Sequence, residues 1–250
     1  EVQSRPTEAA TPYTFTSVLN SAKGQRGRLV ISKEEEARSY QAELKDASYV
    51  VAEVKKREVR QRPTAPFTTS TMQQEAGRKL GRRFTAQRTM VVAQQLYEGL
   101  PLGGGKSEGL ITYMRTDSVQ VAATAVSEAR SYIVEIHGKE FVPEKPRVFT
   151  TKTKAAQEAH EAIRPTSIRR TPDSLQQYLS SDQLGLYRLV WSRMLASQMS
   201  DARSQATTVD IEATCRDSSK VYIFRATGSV LIFSGFRALY LESRDEGEEE

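Results

Sequence analysis

The chain has 250 residues, enough for one large domain or two smaller ones, and its 38% hydrophobic and 27% charged residues are typical of a globular protein. No apolar run approaches the ~20 residues that cross a bilayer, and the N-terminus lacks the apolar core of a signal peptide, so we expect no membrane segment. The single cysteine, Cys215, excludes an intramolecular disulfide and a cysteine zinc site, which favours the cytoplasm.

The formal net charge of +5 is unevenly distributed along the sequence. Residues 242–250 contain six acids, one arginine and no apolar side chain, which predicts a disordered acidic tail. Residues 53–115 contain twelve Lys or Arg against five Asp or Glu. This excess fits a polyanionic partner, although a solvated basic face without a partner has the same composition.

The first half of the sequence passes from predicted strands to predicted helices. Alternating residues at 13–19 and 49–60 predict strands, with a helix at about 32–44 between them. Helices are then predicted at 72–80, capped by Thr71, and from Thr85 onward, where a stripe ends in Leu96 and Tyr97. This helix pair resembles a helix-turn-helix, but a packed αα-hairpin fits equally well. The glycine loop at 102–107 lacks the spacing of a P-loop.

The second half contains further helices and then returns to strands. Helices are predicted at 122–136, 155–162, 173–179 and 182–198, and strands at 207–213 and 220–226. Because β segments flank a helical block, the expected fold class is α+β. Residues 1–68 and 200–241 would form one discontinuous β-rich domain, with residues 69–199 inserted as a helical domain.

Residues 111–118, Ile-Thr-Tyr-Met-Arg-Thr-Asp-Ser, carry the clearest chemical signal. Asp117 and Ser118 are predicted to cap the helix that follows. Tyr113 and Arg115 are two positions apart, so on an extended backbone they point to the same face. A phenol can attack phosphorus and a guanidinium can bind the phosphoryl oxygens, which suits a phosphodiester. By spacing alone, a packed ring beside a solvated cation is the commoner arrangement.

Longer strings around these residues resemble the type IA DNA topoisomerases. They are GLITYMRTDS at 109–118, AQEAHEAIRPT at 156–166, PFTTSTMQQEA at 66–76 and MVVAQQLYEG at 90–99. The resemblance extends from about residue 10 to about residue 240. It implies a β-rich hinge or arch domain that carries an inserted, mainly helical domain with a winged-helix-like core.

The resemblance also implies a reaction and its residues. Tyr113 would attack one strand of negatively supercoiled DNA at a single-stranded segment, giving a 5′-phosphotyrosyl intermediate, and rejoining would need no ATP. His160 would donate a hydrogen bond to the scissile phosphate, and Arg115 would hold that phosphate. Thr112 and Thr116 are weaker candidates for phosphate hydrogen bonds. Arg164 could reach the DNA backbone or could pair with Glu161.

The family's magnesium site lies in a separate nucleotidyl-transfer domain, and this sequence has no D-x-D-x-E run. His160 and Glu161 cannot begin an H-E-x-x-H zinc motif, because Arg164 stands where the second histidine would be. We therefore expect Mg²⁺ to be bound outside this chain, no metal within it, and an inactive chain when it is alone. The expected partners are DNA and the nucleotidyl-transfer and flanking domains of the same bacterial, nucleoid-associated enzyme.

Three other functions remain as alternatives. The chain could be a non-catalytic module that binds single-stranded DNA, or a helix-turn-helix regulator of duplex DNA. A regulator would need neither the tyrosine motif nor flanking β segments. The third is a tyrosine nickase of the rolling-circle type, but such enzymes use histidine-rich metal motifs, and His137 and His160 are the only histidines here.

Overall fold

The computed structural model describes the backbone of residues 2–3 and the residues 14–103, 107–150 and 160–241. Six α-helices occur within these ranges: α1 (Glu34–Leu44), α2 (Thr69–Leu80), α3 (Ala86–Glu98), α4 (Ala123–His137), α5 (Pro172–Leu175) and α6 (Ser181–Gln198). Eight strands occur there: β1 (Val2–Gln3), β2 (Thr14–Phe15), β3 (Val18–Ala22), β4 (Ser48–Gln61), β5 (Leu100–Pro101), β6 (Ser107–Glu108), β7 (Ala202–Thr214) and β8 (Val221–Phe233). The α+β class is confirmed.

The chain divides into two compact units, which we call the sheet unit and the helical unit. The sheet unit comprises Glu1–Val59 and Arg203–Ile232, and the helical unit comprises Arg60–Ala202 and Phe233–Glu250. The segments 60–68 and 233–241, which the sequence pattern placed with the β-rich domain, therefore belong with the helices. The reason is burial, because Phe67, Phe236 and Tyr240 all lie in the helical core.

The sheet unit contains a four-stranded sheet in the order β3-β8-β7-β4, and β3 runs antiparallel to β8. A small core of Ala213, Cys215 and Tyr222 lies between this sheet and α1. Tyr40 of α1 packs edge-on against Tyr222, with ring centroids 5.5 Å apart. By contrast, every residue of the edge strand β4 is exposed.

Two charged pairs add polar links to the sheet unit. Glu43 of α1 accepts hydrogen bonds from Lys220 Nζ at 2.8 Å and from Tyr222 Oη at 2.7 Å, and these bonds lower the pKa of Glu43. Asp210 on β7 accepts two bonds from Arg225 on β8, at 2.6 and 2.8 Å. The Arg225 guanidinium lowers the pKa of Asp210 in the same way.

The helical unit is organised around α6, which contacts α2, α3, α4 and α5. Most of α6 beyond Leu184 is buried, including Tyr187 and Trp191. A capping box starts the helix, in which Ser180 Oγ accepts from the Gln183 backbone N–H and the Gln183 side chain accepts from the Ser180 N–H. No helix in the described part of the chain is long and apolar enough to span a membrane.

The predicted helix caps at Thr71 and at 117–118 are wrong. Thr68 caps α2 and Thr71 is the reciprocal capping-box residue, so the helix begins three residues earlier than its apolar pattern indicates. Helix α4 begins at Ala123 without a side-chain cap. Ser118 is buried, and its hydroxyl instead accepts a bond from the Gln120 N–H at 3.2 Å.

The predicted helix at 155–162 lies mostly outside the described residues. Its last three positions, 160–162, are not helical. The reason is that nearby backbone groups are bonded to other segments: Ala162 N–H donates to Gln120 O and Ile163 N–H donates to Phe67 O, both at 2.8 Å. The acidic stretch 242–250 also lies outside the described residues.

Candidate active site

Three chain segments meet in the helical unit and form the frame of the candidate site. Isolated β-bridges join Phe67 to Ile163 and Ile111 to Pro165. Thr112 N–H donates to Arg164 O at 2.9 Å, which continues the second pairing. The tyrosine-bearing and histidine-bearing motifs, about fifty residues apart in sequence, are therefore held side by side by backbone hydrogen bonds.

The tyrosine segment alternates between buried and exposed side chains. Met114, Thr116 and Ser118 are buried, and Met114 belongs to the main core cluster. Tyr113 and Arg115 are exposed between them. The core holds the backbone through the buried Met114, and Tyr113 and Arg115 on either side of it are exposed to solvent.

The ring of Tyr113 lies against two other aromatic rings. Its centroid is 5.4 Å from that of Tyr97 and 5.8 Å from that of His160. The side chain is 39% exposed, and its hydroxyl makes no hydrogen bond to any residue that the structure describes. The phenol therefore faces solvent with its oxygen available, next to an imidazole.

Arg115 is the exposed cation of this segment. It forms no hydrogen bond or ion pair with the residues in the described ranges, so its guanidinium is available to a ligand. Most other arginines of the helical unit are engaged; Arg83 and Arg88, for example, both pair with Asp182, at 3.2 and 2.7 Å. An unpaired arginine beside an exposed phenol can bind an anionic group.

The remaining candidates have partners inside the protein. Thr112 Oγ1 donates to Ala162 O at 2.7 Å and accepts from the Arg164 N–H at 3.0 Å. Thr116 is buried, and its hydroxyl accepts from the Ser118 N–H at 3.0 Å. These bonds give both threonines a structural role, because Thr112 links the two segments and Thr116 orders the backbone of its own segment.

Arg164 and Glu161 form an ion pair. Arg164 Nε donates to Glu161 Oε2 at 2.6 Å, and Arg164 Nη1 donates to Pro165 O at 3.0 Å. The Arg164 side chain is only 14% exposed. The sequence left open whether Arg164 reaches the DNA backbone or pairs with Glu161, and the structure shows the pair with Glu161.

The first turn of α2 is joined directly to the tyrosine segment. Thr69 Oγ1 donates to Met114 O at 2.7 Å, and Thr69 N–H donates to Thr116 O at 2.9 Å. Ser70, exposed in the same turn, lies 3.2 Å from the Thr68 hydroxyl. Sequence reasoning missed this hydroxyl-rich helix start as part of the site, although the string at 66–76 was one of the four matching motifs.

Tyr97 was also missed as a site residue. Its place in the stripe of α3 suggested a buried side chain, yet it is 40% exposed and contacts Tyr113. Two sequence signals could have found it: Tyr97 lies in the matching string at 90–99, and it falls in the last turn before the glycine that ends α3.

Metal ligands are not grouped in the described ranges: no set of three or more His, Cys, Asp or Glu side chains there could hold a metal ion. The donor set around Tyr113 does not fit a magnesium site either. Its cation and imidazole are not ligands that Mg²⁺ prefers, and the carboxylate of Glu161, next to His160, is paired with Arg164.

Comparison with known proteins identifies the family. A family model described as DNA topoisomerase matches residues 8–250. DNA topoisomerase 1 of Xylella fastidiosa is 50% identical over 195 residues, which cover 78% of this chain and 23% of that protein. DNA topoisomerase 1 of Rickettsia prowazekii is 41% identical over 237 residues, which cover 94% of this chain and 30% of that protein.

A solved structure shares the fold. Full-length topoisomerase I from Thermotoga maritima superposes with a TM-score of 0.69 at 36% identity, over 92% of this chain and 35% of that one. The chain thus spans about a quarter to a third of the length of these relatives. It belongs to the DNA topoisomerase family, in the type IA group that the motifs around Tyr113 and His160 indicate.

Proposed function

We propose that this chain is the part of a type IA DNA topoisomerase that carries the nucleophile, and that Tyr113 is this nucleophile. The observation that carries the proposal is the exposed Tyr113, whose ring lies beside that of His160 and which is two residues from the exposed, unpaired Arg115. The substrate is a single-stranded segment of negatively supercoiled DNA.

In the proposed reaction, Tyr113 Oη attacks the phosphorus of a backbone phosphodiester. The new bond from Tyr113 to phosphorus replaces the bond from phosphorus to the 3′-oxygen. The phenol gives up its proton to a base, and the departing 3′-oxygen takes up a proton to become a hydroxyl. Attack by that hydroxyl on the phosphotyrosine reverses both changes, so the energy of the broken bond is conserved and ATP is not needed.

Arg115 and His160 act on the charge of the phosphate. A guanidinium can bind two phosphoryl oxygens and stabilise the negative charge that develops on them during attack. His160, in contact with the Tyr113 ring, donates a hydrogen bond to the same phosphate. Thr112 keeps the two motifs in register through its bond to Ala162, while the bond of Thr116 to Ser118 and the Arg164–Glu161 pair each order one motif internally.

Mg²⁺ belongs to the complete enzyme in this proposal. It would be held by acidic residues of the nucleotidyl-transfer domain, outside this chain, and none of the steps assigned here to Tyr113, Arg115 or His160 passes through it. The chain alone should therefore bind a single strand weakly and leave supercoiled DNA unrelaxed. Clear relaxation of supercoiled DNA by a pure preparation of the chain would contradict the proposal that the reaction needs the nucleotidyl-transfer domain.

The helix-turn-helix alternative loses its main support. Helices α2 and α3 pack into the core through Met72, Ala76, Val92 and Leu96, as expected for an αα-hairpin. Arg83 and Arg88, which flank or begin α3, are already paired with Asp182. The basic composition of this region thus supplies fewer available cations than its residue count suggests.

The polarity of the protein–DNA link gives a direct test. A 5′-phosphotyrosyl link keeps the downstream piece of the strand on the protein and releases the upstream piece with a 3′-hydroxyl. A complete enzyme that contains this chain is incubated with one oligonucleotide labelled at its 3′ end or at its 5′ end, and the reaction is stopped with detergent. We expect a protein adduct with the 3′ label alone. An adduct with the 5′ label would refute the proposed linkage.

A further inference from the structure

We propose that Tyr97 is a positioning residue that holds the ring of Tyr113 at the mouth of the site. The two rings have centroids 5.4 Å apart and planes inclined by 65°, which is an edge-to-face arrangement. This inference rests on the proposed role of Tyr113 as nucleophile. It adds Tyr97, which lies on helix α3, to the residues on which the proposed reaction depends.

The backbone holds the end of α3 against the strand that leads to Tyr113. Leu110 N–H donates to Leu96 O at 2.7 Å. A Cβ atom at Gly109 would lie 2.7 Å from Tyr97 O, and one at Gly99 would lie 3.0 Å from the carbonyl carbon of Glu108. These approaches are possible only because both positions are glycine. The Cα positions of Tyr97 and Tyr113 are therefore fixed relative to each other.

The side chain of Tyr113 needs such a contact. It is 39% exposed, and no hydrogen bond from a described residue holds its hydroxyl. An exposed ring can change between staggered rotamers, whereas attack on phosphorus requires one narrow geometry. The ring of Tyr97 favours one of these rotamers at the place where the core no longer constrains the side chain.

The contact depends on the ring of Tyr97 and not on its hydroxyl. The Tyr97 hydroxyl makes no hydrogen bond within the described part of the chain, and the side chain is 40% exposed. Tyr97→Phe should therefore keep the contact, and Tyr97→Ala should lose it. An edge-to-face pair of this kind corresponds to a factor of about 2 to 10 in the population of the aligned ring.

The first experiment measures the packing without catalysis. The 250-residue chain is labelled with ¹³C in its tyrosine rings, and the Tyr113 signal is assigned by its loss in Tyr113→Phe. We expect Tyr97→Ala to shift and broaden the Tyr113 signal, and Tyr97→Phe to leave it narrow and close to its original position. Val91→Ala, an exposed position on the same helix, is the control and should change nothing. An unchanged Tyr113 signal in Tyr97→Ala would overturn the inference.

The second experiment measures the reaction in a complete enzyme that contains this chain. Tyr97→Ala should slow formation of the covalent adduct in a single turnover about 2- to 10-fold, with oligonucleotide affinity and thermal midpoint unchanged, and Tyr97→Phe should restore the rate. If Tyr97 instead stacked on a base, the slower adduct formation by Tyr97→Ala would disappear on an oligonucleotide with abasic sites beside the cleavage point. That result would overturn the positioning role. Adduct formation by Tyr113→Phe would refute the proposed function instead, while the ring spectra would still report the contact.

Discussion

The helical unit and the sheet unit are stabilised in different ways. The largest fully buried side chains all belong to the helical unit, among them Tyr187, Leu186 and Met114. The core cluster of the sheet unit has three buried residues, and its edge strand β4 is exposed along its whole length. In the sheet unit, surface ion pairs such as Glu43 with Lys220 add to the limited stabilisation from packing.

This difference explains where the candidate site is found. Attack on phosphorus requires reacting groups to be placed to within a fraction of an ångström, and a close-packed core is the part of a protein that resists displacement. Met114 is buried in that core between the exposed Tyr113 and Arg115. The site thus takes its rigidity from the helical unit, and its chemistry from side chains that leave the core at alternate positions.

The largest expected effect is the loss of the covalent protein–DNA adduct when the Tyr113 hydroxyl is removed and its packing is kept. Tyr113→Phe removes one oxygen and keeps the ring that contacts Tyr97 and His160. In a complete enzyme it should abolish the covalent adduct while DNA affinity and thermal midpoint stay unchanged. The measurement is detergent trapping with a 3′-labelled strand, and adducts trapped from this variant would show that another residue is the nucleophile.

Arg115→Ala and His160→Ala should each leave the nucleophile in place and remove one stabilising group. The loss of a single positioned donor typically slows catalysis by about 10²- to 10³-fold, so we expect single-turnover cleavage to fall by that factor. Arg82→Ala is the matched control, since Arg82 is also exposed and makes no ion pair with the described residues. Equal losses in all three variants would point to general charge attraction and not to contacts with the scissile phosphate.

A pair of aliphatic truncations tests the contrast in stability. Leu186→Ala in the helical core should cost about 2–5 kcal/mol in the free energy of unfolding, because it leaves a cavity. Val54→Ala, half exposed on β4, should cost less than about 0.5 kcal/mol. Trp191, the only tryptophan and a core residue of the helical unit, reports on that unit by fluorescence during chemical denaturation, and hydrogen exchange of the β7 and β8 amides reports on the sheet unit. Similar losses for the two variants would contradict the proposed difference.

The smallest effect is a pH dependence of the sheet unit. Hydrogen bonds from Lys220 and Tyr222 hold the pKa of Glu43 below its ordinary value of 4.5. The unfolded chain therefore binds this proton more readily than the folded chain does. The stabilisation is fully present above pH 4.5 and is lost as the pH falls below that value through the folded pKa.

Glu43→Gln removes this contribution and supplies the comparison. At neutral pH the variant should be less stable than the parent chain, and the two should converge in acid. Hydrogen exchange of the β7 and β8 amides measures the sheet unit by itself. A difference between the two proteins that stays constant from neutral pH into acid would exclude Glu43 as the titrating group.

Much of the fold could be predicted from the sequence because its signals are local. Apolar periodicity predicts α3, α4 and α6, and Thr85 was correctly expected at the start of α3. The caps at Thr71 and at 117–118 were wrong, because several hydroxyl residues near each helix start could act as caps. The pattern of residue types does not show which hydroxyl caps the helix and which one stabilises a turn before it, as Ser118 does by accepting from the Gln120 N–H.

The candidate site was predicted in part. The motifs around Tyr113 and His160 indicated the family, and they supply the proposed reacting groups, because catalytic chemistry needs particular residue types at fixed spacings. The sequence could not indicate that the Thr112 hydroxyl is bonded to the backbone of the histidine segment, or that Tyr97 is exposed beside Tyr113.

By itself, therefore, the sequence determined the family, the α+β class and the identity of the groups that can react. The tertiary structure alone decided which of those groups are available. Thr112 and Thr116 bond within the frame and Arg164 pairs with Glu161, while Tyr113 and Arg115 remain exposed. The physical reason is that a polar group becomes available to a ligand only when no protein group already satisfies it. The partner of Thr112 lies in a segment 50 residues away that it meets only when the chain folds, whereas the partners of Thr116 and Arg164 are two and three residues away and depend on the local backbone geometry.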